Sequence, residues 1–369
     1  MRVIMTGGGT GGHIYPALAI ADKIMEREPD SEILYLGSYD GFEAELVPKR
    51  GYEYKIIPVR GIEVGENKFK AVFAAIKRNL AGIRATRKEI KMFKPDMVIG
   101  TGGYVSLPVI IAAKTMGIPS CIHEQNSYPG RGNLLMAKFA NKILMGFNEA
   151  SKVFPQKDKL VYVGNPVREI FRNADKKKSR EKLGIPEDDF TVFSFGGSQG
   201  SDEVNSIALE YLRRINDKEG RTLLFGTGEQ FFNQVKETLN KEGIVPGDNI
   251  RISAYIENMD DYISAADLII GRAGALSIAE TVACGKPAVL IPLSWSVNNH
   301  QFFNAKSIAD RGAAILVDER NMDIKAVCDD IEELYNNPEK LHSMEEASIS
   351  CSTIDAADRI YEEIKTING

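Results

Sequence analysis

The sequence predicts an α/β protein made of two doubly wound domains, each with a parallel sheet. Three observations predict it. Short apolar strands alternate with amphipathic helices along the whole chain, and each half opens with a strand, a glycine-rich turn and a helix. The length, 369 residues, suits two domains at roughly 150 residues each.

The strands come first. In the first half Val3–Thr6, Ile33–Gly37, Met97–Gly100, Ser120–His123, Ile143–Phe147 and Val161–Val163 read as buried strands. Their counterparts are Val192–Phe195, Thr222–Gly226, Ile252–Tyr255, Leu268–Gly271, Ala288–Pro292 and Ala314–Val317. Both faces of these runs are largely apolar, the pattern of a parallel sheet covered by helices. The first helix carries the complementary stripe, Ile14, Leu18, Ala21 and Met25, with Pro16 expected in its first turn. The boundary falls near GNPVR, Gly164–Arg168, before the polar, basic stretch Arg172–Lys182. Residues 1–164 and 165–352 are the expected domains.

Composition excludes several classes. A net charge of −5 provides no global basic field for nucleic acid. The four cysteines lie far apart without metal-ligand spacing, and a chain this long needs no disulfide staples, so a reducing compartment is expected. The start, MRVIMTGGGTGGH, lacks the apolar core and cleavage site of a secretory signal. The longest near-apolar run, Val105–Ala113, is too short for a membrane helix of about 20 residues.

The glycine turns point to chemistry. Gly7, Gly8, Gly9, Gly11 and Gly12 leave backbone N–H groups open to an anionic oxygen, with a helix N-terminus behind them. A second turn, Thr101–Pro108, ends another strand of the same domain, so two turns can face one diphosphate. Gly196–Gly200 and Gly271–Glu280 repeat the device in the second domain. No acidic residue closes the second strand, which weakens a dinucleotide reading. Four such turns at strand ends argue for a phosphorylated sugar or nucleotide held between two domains. Glu280, six residues past Gly274, suits the hydroxyls of a ribose. A plain solvated glutamate is the alternative.

His13 closes the first turn and opens the helix. A neutral imidazole there can take a proton from a substrate hydroxyl, and a helix N-terminus helps keep it neutral. His123 reads as structural and His342 as a surface residue.

The set GGTGGH, GTGGY, HEQN, GNPVR, GGSQG, GALSIAE and NNHQFFNA resembles the MurG family from Gly8 to about Ala313. These are bacterial UDP-N-acetylglucosamine–N-acetylmuramyl-(pentapeptide) pyrophosphoryl-undecaprenol N-acetylglucosamine transferases, of glycosyltransferase family 28. The resemblance implies the GT-B architecture, two Rossmann-like domains facing a deep cleft, with a last helix, 353–369, returning to the first domain. It implies UDP-GlcNAc bound by Thr10, Gly11, Gly12, Asn126, Arg168, Ser198, Ile256, Ala275, Leu276, Ser277, Ile278, Ala279, Glu280 and Gln301. Glu280 would take the ribose, Gln301 the GlcNAc hydroxyls, Ser198 the diphosphate and Ile256 the uracil. The acceptor, lipid I, would bring its diphosphate to Gly9, Gly102, Gly103 and Tyr104. The sequence departs from the family pattern at two places: Ser201-Asp202 stands where Ala-Arg is common, and Arg131 where an apolar residue is usual.

The implied reaction inverts the anomeric carbon, from α-linked GlcNAc on UDP to a β-1,4 link on the N-acetylmuramyl group. His13 is the candidate base. The chain has no Asp-x-Asp pair, so no metal site and no cofactor are expected. Nine basic residues and one acid lie between Lys68 and Lys94, with Phe69, Val72, Phe73, Ile76, Leu80 and Ile83 recurring at three- and four-residue intervals. Because the implied acceptor is a lipid, Phe69, Lys70, Phe73, Ile76, Lys77, Arg78, Leu80 and Arg84 are expected to form a patch on the anionic cytoplasmic face of the cell membrane, making the enzyme peripheral. Gly82 is expected to divide this stretch into two helices. A UDP-GlcNAc 2-epimerase, a nicotinamide-dependent oxidoreductase and a non-catalytic sugar-nucleotide-binding module are the competing readings.

Overall fold

The computed structural model describes the backbone of residues 1–60, 68–197 and 199–368, and the side chains of all of these except 68–76 and 368. The chain divides into two compact units, Met1–Val167 with Thr353–Gly369, and Arg168–Ser352.

In the first unit the elements run β1 (Arg2–Thr6), α1 (Gly11–Arg27), β2 (Glu32–Gly37), α2 (Glu43–Lys49), β3 (Glu53–Ile56), α3 (Lys68–Phe93) and β4 (Met97–Gly100). They continue through α4 (Ser106–Thr115), β5 (Ser120–Glu124), α5 (Arg131–Met136), β6 (Lys142–Met145) and β7 (Leu160–Tyr162). The second unit holds α6 (Lys176–Leu183), β8 (Phe190–Phe195), α7 (Asp202–Ile215), β9 (Arg221–Gly226), α8 (Phe232–Glu242), β10 (Ile250–Ser253) and α9 (Met259–Ala265). It is completed by β11 (Leu268–Gly271), α10 (Ala275–Ala283), β12 (Ala288–Leu290), α11 (His300–Ala309), β13 (Ala314–Leu316), α12 (Ile324–Asn336) and α13 (Pro338–Cys351). The last helix, α14 (Ala356–Asn368), belongs to the first unit.

Both sheets are parallel, in the orders β3-β2-β1-β4-β5-β6-β7 and β10-β9-β8-β11-β12-β13. Strand order therefore reverses between β1 and β4, and between β8 and β11. In open α/β sheets such a switch point opens a crevice at the carboxyl ends of the strands, where ligands bind. All four glycine turns of the sequence leave one of these four strands. The fold thus puts the turns where ligands go.

Central strands such as Met97–Gly100 and Phe190–Phe195 are buried throughout, because helices cover both sheet faces. In the first unit Ile14, Ala17, Leu18, Ala21 and Ile24 of α1 pack with Val3 and Met5, and Ile360 and Ile364 of α14 join them. Glu28 at the end of α1 accepts from Tyr361 Oη at 2.8 Å and Lys365 Nζ at 2.7 Å, tying the two helices further.

Two expectations need correction. Pro16 is not in the first turn of α1, which starts at Gly11; it lies in the second turn and removes the N–H that would bond the Gly12 carbonyl. Gly82 does not divide a helix. α3 runs unbroken through it, and a Cβ there would lie 2.7 Å from Val59 Cγ1 and 3.1 Å from Pro108 Cβ, so the glycine allows close packing. The basic stretch after Arg172 forms α6, whose Arg180 donates to Asp267 at 2.7 Å and Lys182 to Asp261 at 2.8 Å. No helix among the described residues is long and apolar enough to cross a membrane.

Candidate functional site

The first half-site follows β1 and β4. Gly8 N–H donates to the Gly102 carbonyl at 3.3 Å, so the two glycine turns of this unit lie against each other. His13 sits on that contact. Its Nδ1 donates to the Gly8 carbonyl at 3.1 Å, with Thr10 Oγ1 at 3.4 Å. In the neutral ring this bond puts the proton on Nδ1 and makes Nε2 the basic nitrogen. Gly102 has φ +119°, and a Cβ on it would stand 2.9 Å from Nε2. Only glycine accommodates both that backbone angle and the imidazole.

A carboxylate that sequence reasoning missed lies beneath. Glu43, fully buried, accepts from Gly9 N–H at 3.2 Å, Ser38 N–H at 3.2 Å and Ser38 Oγ at 2.6 Å. Ser38 Oγ is also 3.0 Å from Tyr104 Oη. Gly9 was expected to offer its N–H to a diphosphate, yet that donor already serves a carboxylate. The donors at this turn begin instead at Thr10, the N-cap of α1, followed by Gly11 and Gly12. Gly102, Gly103 and Tyr104 stand beside them.

Glu124 is the second missed carboxylate. Its Oε1 accepts from Asn126 N–H at 2.9 Å and Nδ2 at 3.1 Å, and its Oε2 from Gly130 N–H at 3.0 Å and Asn133 Nδ2 at 2.8 Å. Asn126 is thereby held in place. His123 is fully buried, Nε2 donating to the Gly164 carbonyl at 3.0 Å, and burial pushes its pKa down to about 4. It is a neutral structural group. His342 is exposed, as expected of a surface residue.

The second half-site follows β8 and β11. α10 begins at Ala275 behind Gly274, which provides no side-chain cap. The first N–H groups of this helix, at Ala275, Leu276 and Ser277, and its positive dipole end are of the kind that can receive an anion. Glu280 follows on the same helix with Ile278 and Ala279. Arg168 Nε donates to Glu280 Oε1 at 3.1 Å, and the guanidinium also lies over Phe171 at 4.8 Å. Burial raises the Glu280 pKa, and Arg168 opposes that shift. Ile256, half-buried after β10, approaches the end of β9, where a Cβ on Gly226 would meet its Cγ1 at 3.1 Å. Gln301 Oε1 accepts from Leu293 N–H at 3.0 Å, which commits the amide oxygen and leaves the NH2 as the group able to donate to a sugar hydroxyl. Ser198 lies outside the described residues.

The departure at Ser201-Asp202 has a local cause. Ser201 caps α7, its Oγ accepting from Val204 N–H at 3.3 Å, and Asp202 and Glu203 occupy the first turn, where acids complement the helix dipole. Arg131 opens α5 as an exposed residue. Among the described residues no group of three or more histidines, cysteines and acids is placed to hold a metal ion.

Two parallel α/β units, each with glycine turns and a helix N-terminus at its switch point, are those of a GT-B glycosyltransferase. The chain belongs to glycosyltransferase family 28: residues 3–145 match that family's N-terminal domain and residues 191–360 its C-terminal domain. It is 41% identical to the UDP-N-acetylglucosamine–N-acetylmuramyl-(pentapeptide) pyrophosphoryl-undecaprenol N-acetylglucosamine transferase of Acetivibrio thermocellus, over 100% of this chain and 98% of the relative. The transferase of the same name from Caldanaerobacter subterraneus is 40% identical, with both chains covered in full. The crystal structure of Acinetobacter baumannii MurG superposes with a TM-score of 0.78 at 28% identity, covering 99% of each chain. A UDP-GlcNAc 2-epimerase from Neisseria meningitidis, at 13% identity and a TM-score of 0.70, shares the fold alone.

Proposed function

We propose that this protein transfers N-acetylglucosamine from UDP-GlcNAc to the 4-hydroxyl of the N-acetylmuramyl group in undecaprenyl-pyrophosphoryl-MurNAc-pentapeptide, lipid I. The product is β-1,4-linked lipid II, a step of peptidoglycan synthesis, and UDP leaves. The full-length likeness to transferases of that name carries the reading.

The side chains divide the work by unit. Ser198 and the α10 N-terminus, Ala275 to Ser277, receive the donor's diphosphate. Glu280, fixed by Arg168, accepts from the ribose hydroxyls, Gln301 donates to GlcNAc, and Ile256 packs on the uracil. In the other unit Thr10, Gly11 and Gly12 meet the donor with Asn126, and Gly102, Gly103 and Tyr104 receive the acceptor's diphosphate.

The reaction is a single displacement. Nε2 of His13 takes the proton of the acceptor 4-hydroxyl as its oxygen attacks the anomeric carbon. The bond from that carbon to the UDP oxygen breaks, and its electron pair leaves with UDP. Helix N–H groups stabilise the charge gathering on the departing diphosphate. The transition state has oxocarbenium character, as in glycoside hydrolysis, and the configuration inverts.

The acceptor is lipid-linked, and α3 offers a surface for the membrane that carries it. Lys77, Leu80 and Arg84, three and four residues apart, are exposed along one side, and Arg78 is half-buried. Phe69, Lys70, Phe73 and Ile76 lie on the same helix, outside the described side chains. Basic groups near an anionic leaflet contribute about 1 kcal/mol each. The protein is proposed to act as a peripheral enzyme of the cytoplasmic face.

The test is a turnover assay with UDP-GlcNAc and lipid I. UDP release that requires lipid I, with a product heavier by one GlcNAc, supports the transferase. UDP-ManNAc formed from UDP-GlcNAc alone would make it an epimerase, and binding without turnover would make it a sugar-nucleotide module.

A further inference from the structure

Arg272, the residue after β11, reaches three segments of the second unit. Its Nη2 donates to the carboxylate of Glu203 in the first turn of α7, and its Nη1 to Glu319 and to the Ile291 carbonyl at 3.2 Å. Each carboxylate makes a further bond. Ser201 Oγ donates to Glu203 Oε2 at 2.9 Å, and Ser294 N–H donates to Glu319 Oε1 at 2.7 Å. The guanidinium is 13% exposed and Glu319 only 7%, so the Arg272–Glu319 arm is shielded from water and little screened, while Glu203, 40% exposed, forms the outer arm.

The segments it joins are the donor loops. Glu203 lies five residues beyond Ser198, Arg272 three before Ala275, and Ser294 next to Leu293, whose N–H holds Gln301. One guanidinium therefore joins the first turn of α7, which follows the diphosphate turn in sequence, to the α10 turn and the loop that presents the sugar-reading amide. Burial works against the Glu319 charge, but the bonds from Ser294 and Arg272 keep its carboxyl below the usual range, so it stays ionised at neutral pH. The acid at Glu203 thus faces a base, not the diphosphate.

We propose that Glu203, Arg272 and Glu319 form a positioning clamp that presets the three donor loops for UDP-GlcNAc. The two glutamates act through Arg272 and touch no substrate. The proposal rests on the donor site assigned above. A preset site spares the ligand the cost of ordering its loops, so loosening the clamp weakens binding while the bound complex still reacts.

Calorimetry with UDP-GlcNAc, turnover with lipid I, and thermal melting on Glu319→Gln, Glu319→Asp and Glu203→Gln test it. Glu319→Gln should raise Kd and KM for UDP-GlcNAc roughly tenfold, the scale of one charge-assisted hydrogen bond, with kcat within about threefold of wild type. Glu319→Asp should recover part of that loss. Glu203→Gln, at a more exposed position, should melt close to wild type and raise KM by about threefold. KM unchanged in both glutamine variants, or a fall in kcat at unchanged KM, overturns the clamp. Wild-type protein that binds no UDP-GlcNAc overturns the donor site itself.

Discussion

Arg168 Nε donates to Glu280 Oε1 at 3.1 Å, so a carboxylate in the second turn of α10 is held by a cation from 112 residues earlier. The pair lies beside the uncapped helix end that suits a diphosphate. Removing the carboxylate should weaken UDP and UDP-GlcNAc alike, because the ribose is common to both. We expect Glu280→Ala to cost roughly 10- to 100-fold in each affinity. The pH dependence has a definite sign. The ionised carboxylate is the acceptor and burial raises its pKa, so affinity falls on acidification earlier than for an ordinary glutamate. Arg168 counters that rise, and Arg168→Gln should move the fall to higher pH. Calorimetry across pH on both proteins reads the shift.

Gln301 is assigned to the sugar. Gln301→Ala should therefore weaken UDP-GlcNAc more than UDP, by about tenfold in the ratio of the two affinities. The Leu293 N–H loses its acceptor at the same time, so a small common loss is also expected. Equal losses for both ligands would remove the residue from sugar recognition.

His13→Ala should leave UDP-GlcNAc affinity within about twofold and lower kcat by at least ~10², as loss of a general base does. The acceptor nitrogen is set by the Nδ1 bond to the Gly8 carbonyl. Turnover within a few-fold of wild type would assign the ring to packing between the two glycine turns.

Reversing the charge of Lys70, Lys77, Arg78 and Arg84 together should abolish co-sedimentation with anionic vesicles and spare UDP-GlcNAc binding. Wild-type binding should weaken with salt, since the attraction is screened beyond about 8 Å at physiological ionic strength. Unchanged sedimentation of the variant would make α3 an ordinary basic surface.

The fold was legible where burial dictates composition. Helices cover both faces of the central strands, so runs such as Leu268–Gly271 are apolar throughout and stand out from their neighbours. β3, Glu-Tyr-Lys-Ile at the sheet edge and mostly exposed, carries no such run and went unseen. Pro16 and Gly82 misled for the opposite reason: their local preferences for helix ends yielded to packing of α1 and α3. Glycine turns and His13 were legible because they are contiguous. Glu43, Glu124 and Arg272 were not, because their significance lies in partners brought close by the fold: Gly9 is 34 residues from Glu43, and Glu203 is 69 from Arg272. Only the four-residue motif HEQN pointed to Glu124, and no spacing rule links the others.

The stereochemistry of transfer tests the central claim most directly. Proton NMR of the wild-type reaction, with UDP-GlcNAc and a soluble lipid I analogue, follows the anomeric signals in time. Single displacement with His13 as base predicts that the α signal of UDP-GlcNAc decays as a β-1,4 signal appears on the N-acetylmuramyl group, in equal amounts. An α-linked product, or loss of the donor signal without any new glycosidic link, would contradict it.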